Sequence, residues 1–131
     1  MPKPEFGRIE ESKVDKPWGY ELRWAITDRY LGKVLHINQG HALSLQYHEH
    51  KDEFQYVLKG AIDMELGDSD GGLTVHRMRT GDTLHITPGT RHRMTAVEDT
   101  DIFEVSTPEI HDVVRLEDRY GRAGTQDAPT P

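Results

Sequence analysis

The chain has no cysteine among its 131 residues, which excludes disulfides, thiolate metal ligands and thiol nucleophiles and fits a reducing compartment. It has no apolar run near the ~20 residues that a membrane-spanning helix needs, so no membrane partner is expected. Positive charge is scarce as well. The 16 Lys and Arg against 23 Asp and Glu leave a formal charge of -7. A nucleic-acid partner is therefore not expected, because phosphate backbones are bound by net basic surfaces. Any anion must be held by a local cluster of arginine and lysine. The opening residues, "MPKPEFGRIEESK", carry neither the apolar core of a secretory leader nor the Arg/Ser-rich, acid-poor look of a transit peptide. A cytoplasmic location is the expectation.

What is present is a single domain's worth of chain. Residues 1–16 are charged and carry Pro2 and Pro4, while 123–131, "AGTQDAPTP", are small and polar. Both ends read as weakly ordered, with the tail disordered and the folded body over 17–122. Inside that body, short alternating stretches such as "YELRWAI", "KVLHI", "FQYVL", "AIDMEL", "LTVHRM", "TLHIT" and "IFEVST" are separated by Gly, Asp and Pro breaks. Period-two alternation with such punctuation predicts an all-β sandwich or barrel. The one helical candidate is a turn or two within 109–122, after Pro108.

The chemistry concentrates in "LSLQYHEHKDEFQYVLKG", residues 43–60. On a strand, residues i and i+2 face the same way about 6.5 to 7 Å apart, so His48 and His50 could lean onto one ion. Gln46 shares their face, and Leu43, Leu45 and Tyr47 lie on the other. An exposed polar hairpin would show the same alternation. The rest of the spacing argues for a site: Lys51 and Asp52 allow a reversal, after which Glu53 and Gln55 face the imidazoles across the next strand. A second cluster, "GDTLHITPGTRHRM" at 81–94, supplies His92 just after the turn at Pro88-Gly89. "GDSDGG" at 67–72 reads as a hairpin connection rather than a calcium loop. Trp18 and Tyr20 read as packing residues.

"HEHKDEFQYVLKG" and "GDTLHITPGTRH" resemble the two cupin motifs in order and separation. Together with "KPWGYE" at 16–21 and "VVRLEDRYGR" at 113–122, the chain is most similar to the mannose-6-phosphate isomerase domain of the type II, bifunctional enzymes. The resemblance implies a jelly-roll barrel with His48, His50, Glu53 and His92 as metal ligands. Gln55 stays open as a rival to Glu53. The site departs from the usual isomerase pattern at Glu49, Lys51, Phe54 and Gln55, beside the metal, so the substrate could differ. No glycine-rich nucleotide loop is visible in these 131 residues, so sugar-nucleotide synthesis by this chain alone is not expected.

Three imidazoles and a carboxylate suit one divalent ion, Zn, Mn, Fe, Ni or Co, without choosing among them. An ion with open positions would polarise a carbonyl in aldose-ketose isomerisation, while a side chain carries a proton between neighbouring carbons. Glu104, Lys51 and His85, the last placed inward by alternation, are the candidates for catalytic roles. Gln46, Gln55, Arg91, Arg93 and Arg115 are the candidates for substrate contacts, with the arginines suited to phosphate. The leading expectation is a sugar or sugar-phosphate isomerase or epimerase acting on a small carbohydrate. An iron-dependent dioxygenase on a small organic substrate and a non-catalytic metabolite-binding cupin are the alternatives. The apolar face of Leu43, Leu45 and Tyr47 needs a cover, for which a homodimer is expected.

Overall fold

The computed structural model describes residues 3, 7, 8, 12–68 and 71–124. It contains β1 (Ser12–Lys16), β2 (Gly19–Ile26), β3 (Leu31–Ile37), β4 (Leu45–Tyr47), β5 (Glu53–Lys59), β6 (Ala61–Gly67), β7 (Thr74–Arg79), β8 (Thr83–Ile86), β9 (Arg91–Ala96), β10 (Thr100–Ser106) and β11 (Val114–Glu117). The strands form two antiparallel sheets, ordered β1-β2-β3-β10-β5-β8 and β11-β4-β9-β6-β7. This is the expected all-β barrel. From β3 to β11 the chain crosses between the two sheets at every step except β6–β7, which form a hairpin within the second, and β1–β3 form a meander within the first.

Burial divides the interior into a dry half and a polar half. Ile37, Leu35, Val57, Ile62, Met64, Ile86, Met94 and Ile102 form the core, and Trp18 packs with them. Beside this core the inward residues turn polar. One row across the first sheet pairs Arg23 with Lys33, Lys33 with Glu104, and Glu104 with Gln55. Opposite it, on the second sheet, Arg115 pairs with Gln46 and Gln46 with His92. Register thus places two polar rows face to face in the barrel. Gly60 closes the β5–β6 hairpin at φ +111°, and a Cβ there would lie 2.5 Å from Thr100 Oγ1 and 2.6 Å from the Asp99 carbonyl oxygen. Only glycine fits that corner.

Three expectations change. Residues 109–122 form turns and β11 rather than a helical turn among the described residues. The alternating segment from Val114 to Glu117 gives the edge of β4 a partner, so it goes extended. Ser12–Lys16 is a strand paired with β2, so the folded body starts before residue 17. Leu43 and Leu45 are buried and Tyr47 is half-buried within this one chain, so the face named for a dimer is already covered. Residues 125–131, most of 1–11, and 69–70 of the "GDSDGG" stretch lie outside the described residues.

Candidate metal centre

β4 points Gln46 inward, and His48, one residue past the end of that strand, keeps the same direction. β5 and β9 open with Glu53 and carry His92, both fully enclosed. Ligand atoms of His48, Glu53 and His92 all lie within 4.8 Å of one another. His48 Nε2 is 2.8 Å from Glu53 Oε1, and His92 Nε2 is 3.5 Å from the same oxygen.

The hydrogen bonds on the far side of each ring decide what this convergence means. His48 Nδ1 is 2.6 Å from the Asp112 carbonyl oxygen, and His92 Nδ1 is 2.9 Å from that of Thr90. A carbonyl only accepts, so each Nδ1 carries a proton and donates it. In the neutral ring the Nε2 of each imidazole is then a bare lone pair aimed at one carboxylate oxygen. A cation, either a proton or a metal ion, must sit among these atoms to make the arrangement attractive. Burial pushes His92 down, against the pull of Glu53, which keeps its ring neutral and ready to ligate. Glu53 is pushed up by burial, but Lys51 and its hydrogen-bonding neighbours hold it well below the usual carboxylate range. Two backbone-anchored rings and an ionised carboxylate match the donor chemistry of a divalent ion.

Gln46 adds a fourth group. Its Nε2 lies 3.4 Å from His92 Nε2, and Ser44 Oγ donates to its Oε1 at 2.9 Å. Exchanging the amide O and N would turn an oxygen toward the cluster while Ser44 accepts from the amide.

His50 does not join this group. β4 ends at Tyr47, so strand alternation stops short of residue 50. The Asp112 carboxylate instead captures the backbone N–H groups of Glu49, His50 and Lys51 at 3.0, 2.7 and 2.9 Å. That claw turns the His50 side chain out to solvent. Gln55 points inward, as expected, but one pleat beyond the cluster. Its Nε2 donates to Glu53 at 3.5 Å and Glu104 at 3.4 Å, and its Oε1 has no partner.

Of the proton-carrying candidates, two are inside. Lys51 Nζ is 3.2 Å from Glu104 Oε2 and 3.9 Å from Glu53 Oε2. Burial disfavours its charge, but these two carboxylates outweigh burial and hold it protonated. Glu104 is pushed up to about 7, first by burial and then by the Glu53 charge. His85 is outside: β5–β8 register pairs it with Phe54, an outward residue, on which it stacks at 4.2 Å while bonding Asp52 at 2.6 Å. Arg91 and Arg93 also face away. Arg91 ties down the Asp68 and Gly71 carbonyls, and Arg93 pairs with Glu65 and Glu117. Arg115, by contrast, is buried and lines the same cavity as Gln46 and His48.

The sequence reading missed a buried ion chain. Arg23 Nε meets Glu21 Oε1 at 2.8 Å, Lys33 meets Glu21 at 3.4 Å and Glu104 at 3.9 Å, and Lys51 continues to Glu53. "YELRW" puts Glu21 and Arg23 on one face and Leu22 and Trp24 on the other, but period-two alternation alone does not say which face is inside. Among the described residues no helix is long and apolar enough to cross a membrane.

A family model described as "Cupin domain" matches residues 33–106. The xanthan biosynthesis protein XanB of Xanthomonas campestris pv. campestris (strain B100) is 31% identical over 124 residues, covering 88% of this chain and 26% of that protein. Mannose-1-phosphate guanylyltransferase 2 of Escherichia coli O157:H7 is 26% identical over 117 residues, covering 86% of this chain and 23% of that protein. The chain therefore spans about a quarter of the length of these curated relatives. Among solved structures, KdgF from Halomonas sp. superposes with a TM-score of 0.64 at 24% identity, over 75% of this chain and 88% of that one. The matched segment runs through Gln46, His48, Glu53 and His92 and covers more than half of the chain, so a barrel with its donors clustered inside is what sequence and geometry agree on: this chain belongs to the cupin family.

Proposed function

We propose that the chain binds one divalent ion through His48, Glu53, His92 and Gln46 and isomerises an anionic sugar, a sugar phosphate in the first instance. The observation that carries this reading is the charge of the barrel interior. Arg23, Lys33, Lys51 and Arg115 are buried against Glu21, Glu53 and Glu104. Among these seven side chains the cations outnumber the carboxylates by one, and a divalent ion would add two positive charges. A net-positive interior favours a ligand that arrives negative. Lys16 lines the same cavity beside Arg115, while Arg122, also in the lining, is held by the Asp118 carboxylate. The names of the two curated relatives support a place in sugar metabolism.

The bound ion would supply Lewis acidity, polarising a substrate carbonyl so that the neighbouring C–H becomes acidic. Glu104, poised near neutrality, is suited to take that proton from one carbon and return it to the next. Lys51 holds Glu104 in place and stays charged beside the substrate oxygens. Gln55, with a free buried acceptor, is suited to receive a substrate hydroxyl. Zn, Mn, Fe, Ni and Co all accept this donor set, and availability decides among them.

The test is a coupled assay of mannose 6-phosphate to fructose 6-phosphate conversion on protein loaded with each metal in turn. Turnover that disappears in Glu104→Gln while metal is retained is the expected result. Stoichiometric metal without turnover of any sugar phosphate would reduce the chain to a binding module, and oxygen uptake with a chelating organic substrate would move it to the dioxygenase class.

A further inference from the structure

Residues 48–52 carry the first imidazole of the site, yet no strand holds them, since β4 ends at Tyr47 and β5 begins at Glu53. Their backbone groups must be satisfied from elsewhere. At one end the His48 carbonyl accepts from the Gly89 N–H at 2.8 Å. At the other end Asp52 and Thr107 exchange two bonds, Thr107 N–H to the Asp52 carbonyl and Asp52 N–H to Thr107 Oγ1, each 3.0 Å. The three donors between, on Glu49, His50 and Lys51, go to the Asp112 carboxylate: Oδ1 takes the first and Oδ2 the other two. Strand register explains the reach. Val114 pairs with Tyr47 and Arg115 with Gln46, and the same antiparallel register carried two residues further sets Asp112 against Glu49.

Asp112 also holds the ring, because its carbonyl oxygen lies 2.6 Å from His48 Nδ1. One residue thus fixes an imidazole and the backbone behind it. It does so from the connection between β10 and β11, in which Ile110 and Val113 line the cavity. We infer that Asp112 is a positioning residue for the metal centre: its carboxylate seats the 49–51 loop against that connection, so that its carbonyl keeps His48 in the Nδ1–H form with Nε2 open to an ion. The competing state is at hand. Glu53 Oε1 is 2.8 Å from His48 Nε2, and without an acceptor at Nδ1 the ring would carry its proton on Nε2 and donate it to that carboxylate, which blocks the lone pair. His92 has no such dependence, since its Nδ1 is anchored two residues away on the Thr90 carbonyl. His48 is anchored across 64 residues, so its readiness to ligate is a tertiary property that Asp112 carries. The same clasp fixes the backbone of Lys51, whose ammonium holds Glu104. The inference rests on the metal-binding part of the proposed function and not on isomerisation.

The test compares Asp112→Ala, Asp112→Asn and Gly60→Ala with the wild type. Gly60→Ala is the control for lost stability, because its clash lies at the far end of β5 from Glu53. Zinc affinity, read by competition with a chromophoric chelator, should fall roughly 10-fold or more in Asp112→Ala. Asparagine keeps one of the two acceptor oxygens, so Asp112→Asn should fall between Asp112→Ala and the wild type. Gly60→Ala should bind zinc as the wild type does. In chelated protein carrying ¹⁵N-labelled histidine, His48 should show a protonated Nδ1 in the wild type and the Nε2–H form in Asp112→Ala. Circular dichroism reports the folding of each variant. Wild-type zinc affinity in every folded Asp112 variant, an equal loss in Gly60→Ala, or an unchanged His48 tautomer in folded Asp112→Ala would overturn the inference. A wild type that binds no zinc or other divalent ion would overturn the metal reading itself, and the tautomer in chelated protein then decides on Asp112 separately.

Discussion

Glu104→Gln tests whether the barrel holds a carboxyl poised near neutrality. Burial and the Glu53 charge push Glu104 from 4.5 up to about 7, against Lys51 and Lys33. An acid raised on folding binds its proton more tightly in the folded state. Between the two values the folded chain therefore holds more protons, and stability falls as pH rises. The penalty is absent below the unfolded value and complete above about 7, where it reaches about 3 kcal/mol at ~1.4 kcal/mol per pH unit. Glutamine copies the protonated form at every pH and escapes that penalty. In chelated protein, urea unfolding should find the variant gaining on the wild type by about 2–3 kcal/mol between about pH 5 and about pH 8. On melting this corresponds to about 10 °C. A difference between variant and wild type that stays constant over that range would refute the reasoning.

Asp112→Ala removes the acceptor for three backbone donors and should cost about 2 kcal/mol, read as a lower melting temperature. Burial pushes the Asp112 carboxyl up, but those N–H groups hold it below its usual range, so its contribution exists above the unfolded value and fades as pH falls through the folded one. The deficit of the variant should shrink at acid pH. Gly60→Ala puts a Cβ against Thr100 and the Asp99 carbonyl at positive φ and should destabilise by about 2–4 kcal/mol in denaturant titration. Arg115→Gln, in the cavity beside Gln46, should raise KM for a sugar phosphate about tenfold or more with a much smaller change in kcat.

The β-rich architecture was legible because period-two alternation and Gly/Pro punctuation survive in a single sequence. Glu53 and His92 were legible because turns fix the register that follows them. His50 was not, because strand pairing ends at Tyr47 and a carboxylate 62 residues away, on Asp112, decides where the next side chain points. His85 failed for a related reason: its direction is set by pairing with Phe54, whose own orientation is inverted. That inversion is the general lesson of this chain. On β2, β5 and β10, Glu21, Arg23, Glu53 and Glu104 point in while Trp24, Phe54, Tyr56 and Phe103 point out, because this part of the barrel interior is a polar site and the exterior carries an apolar face. Alternation is readable from sequence; which side is the inside is a tertiary fact.

The claim on which the account turns is that two backbone-anchored imidazoles and Glu53 share a cation, with His50 outside the set. Metal content of freshly purified protein measures this directly, with His92→Ala and His50→Ala prepared in parallel. The account predicts close to one divalent ion per chain in the wild type and in His50→Ala, and loss of the ion in a folded His92→Ala. Loss in His50→Ala with retention in His92→Ala would contradict it.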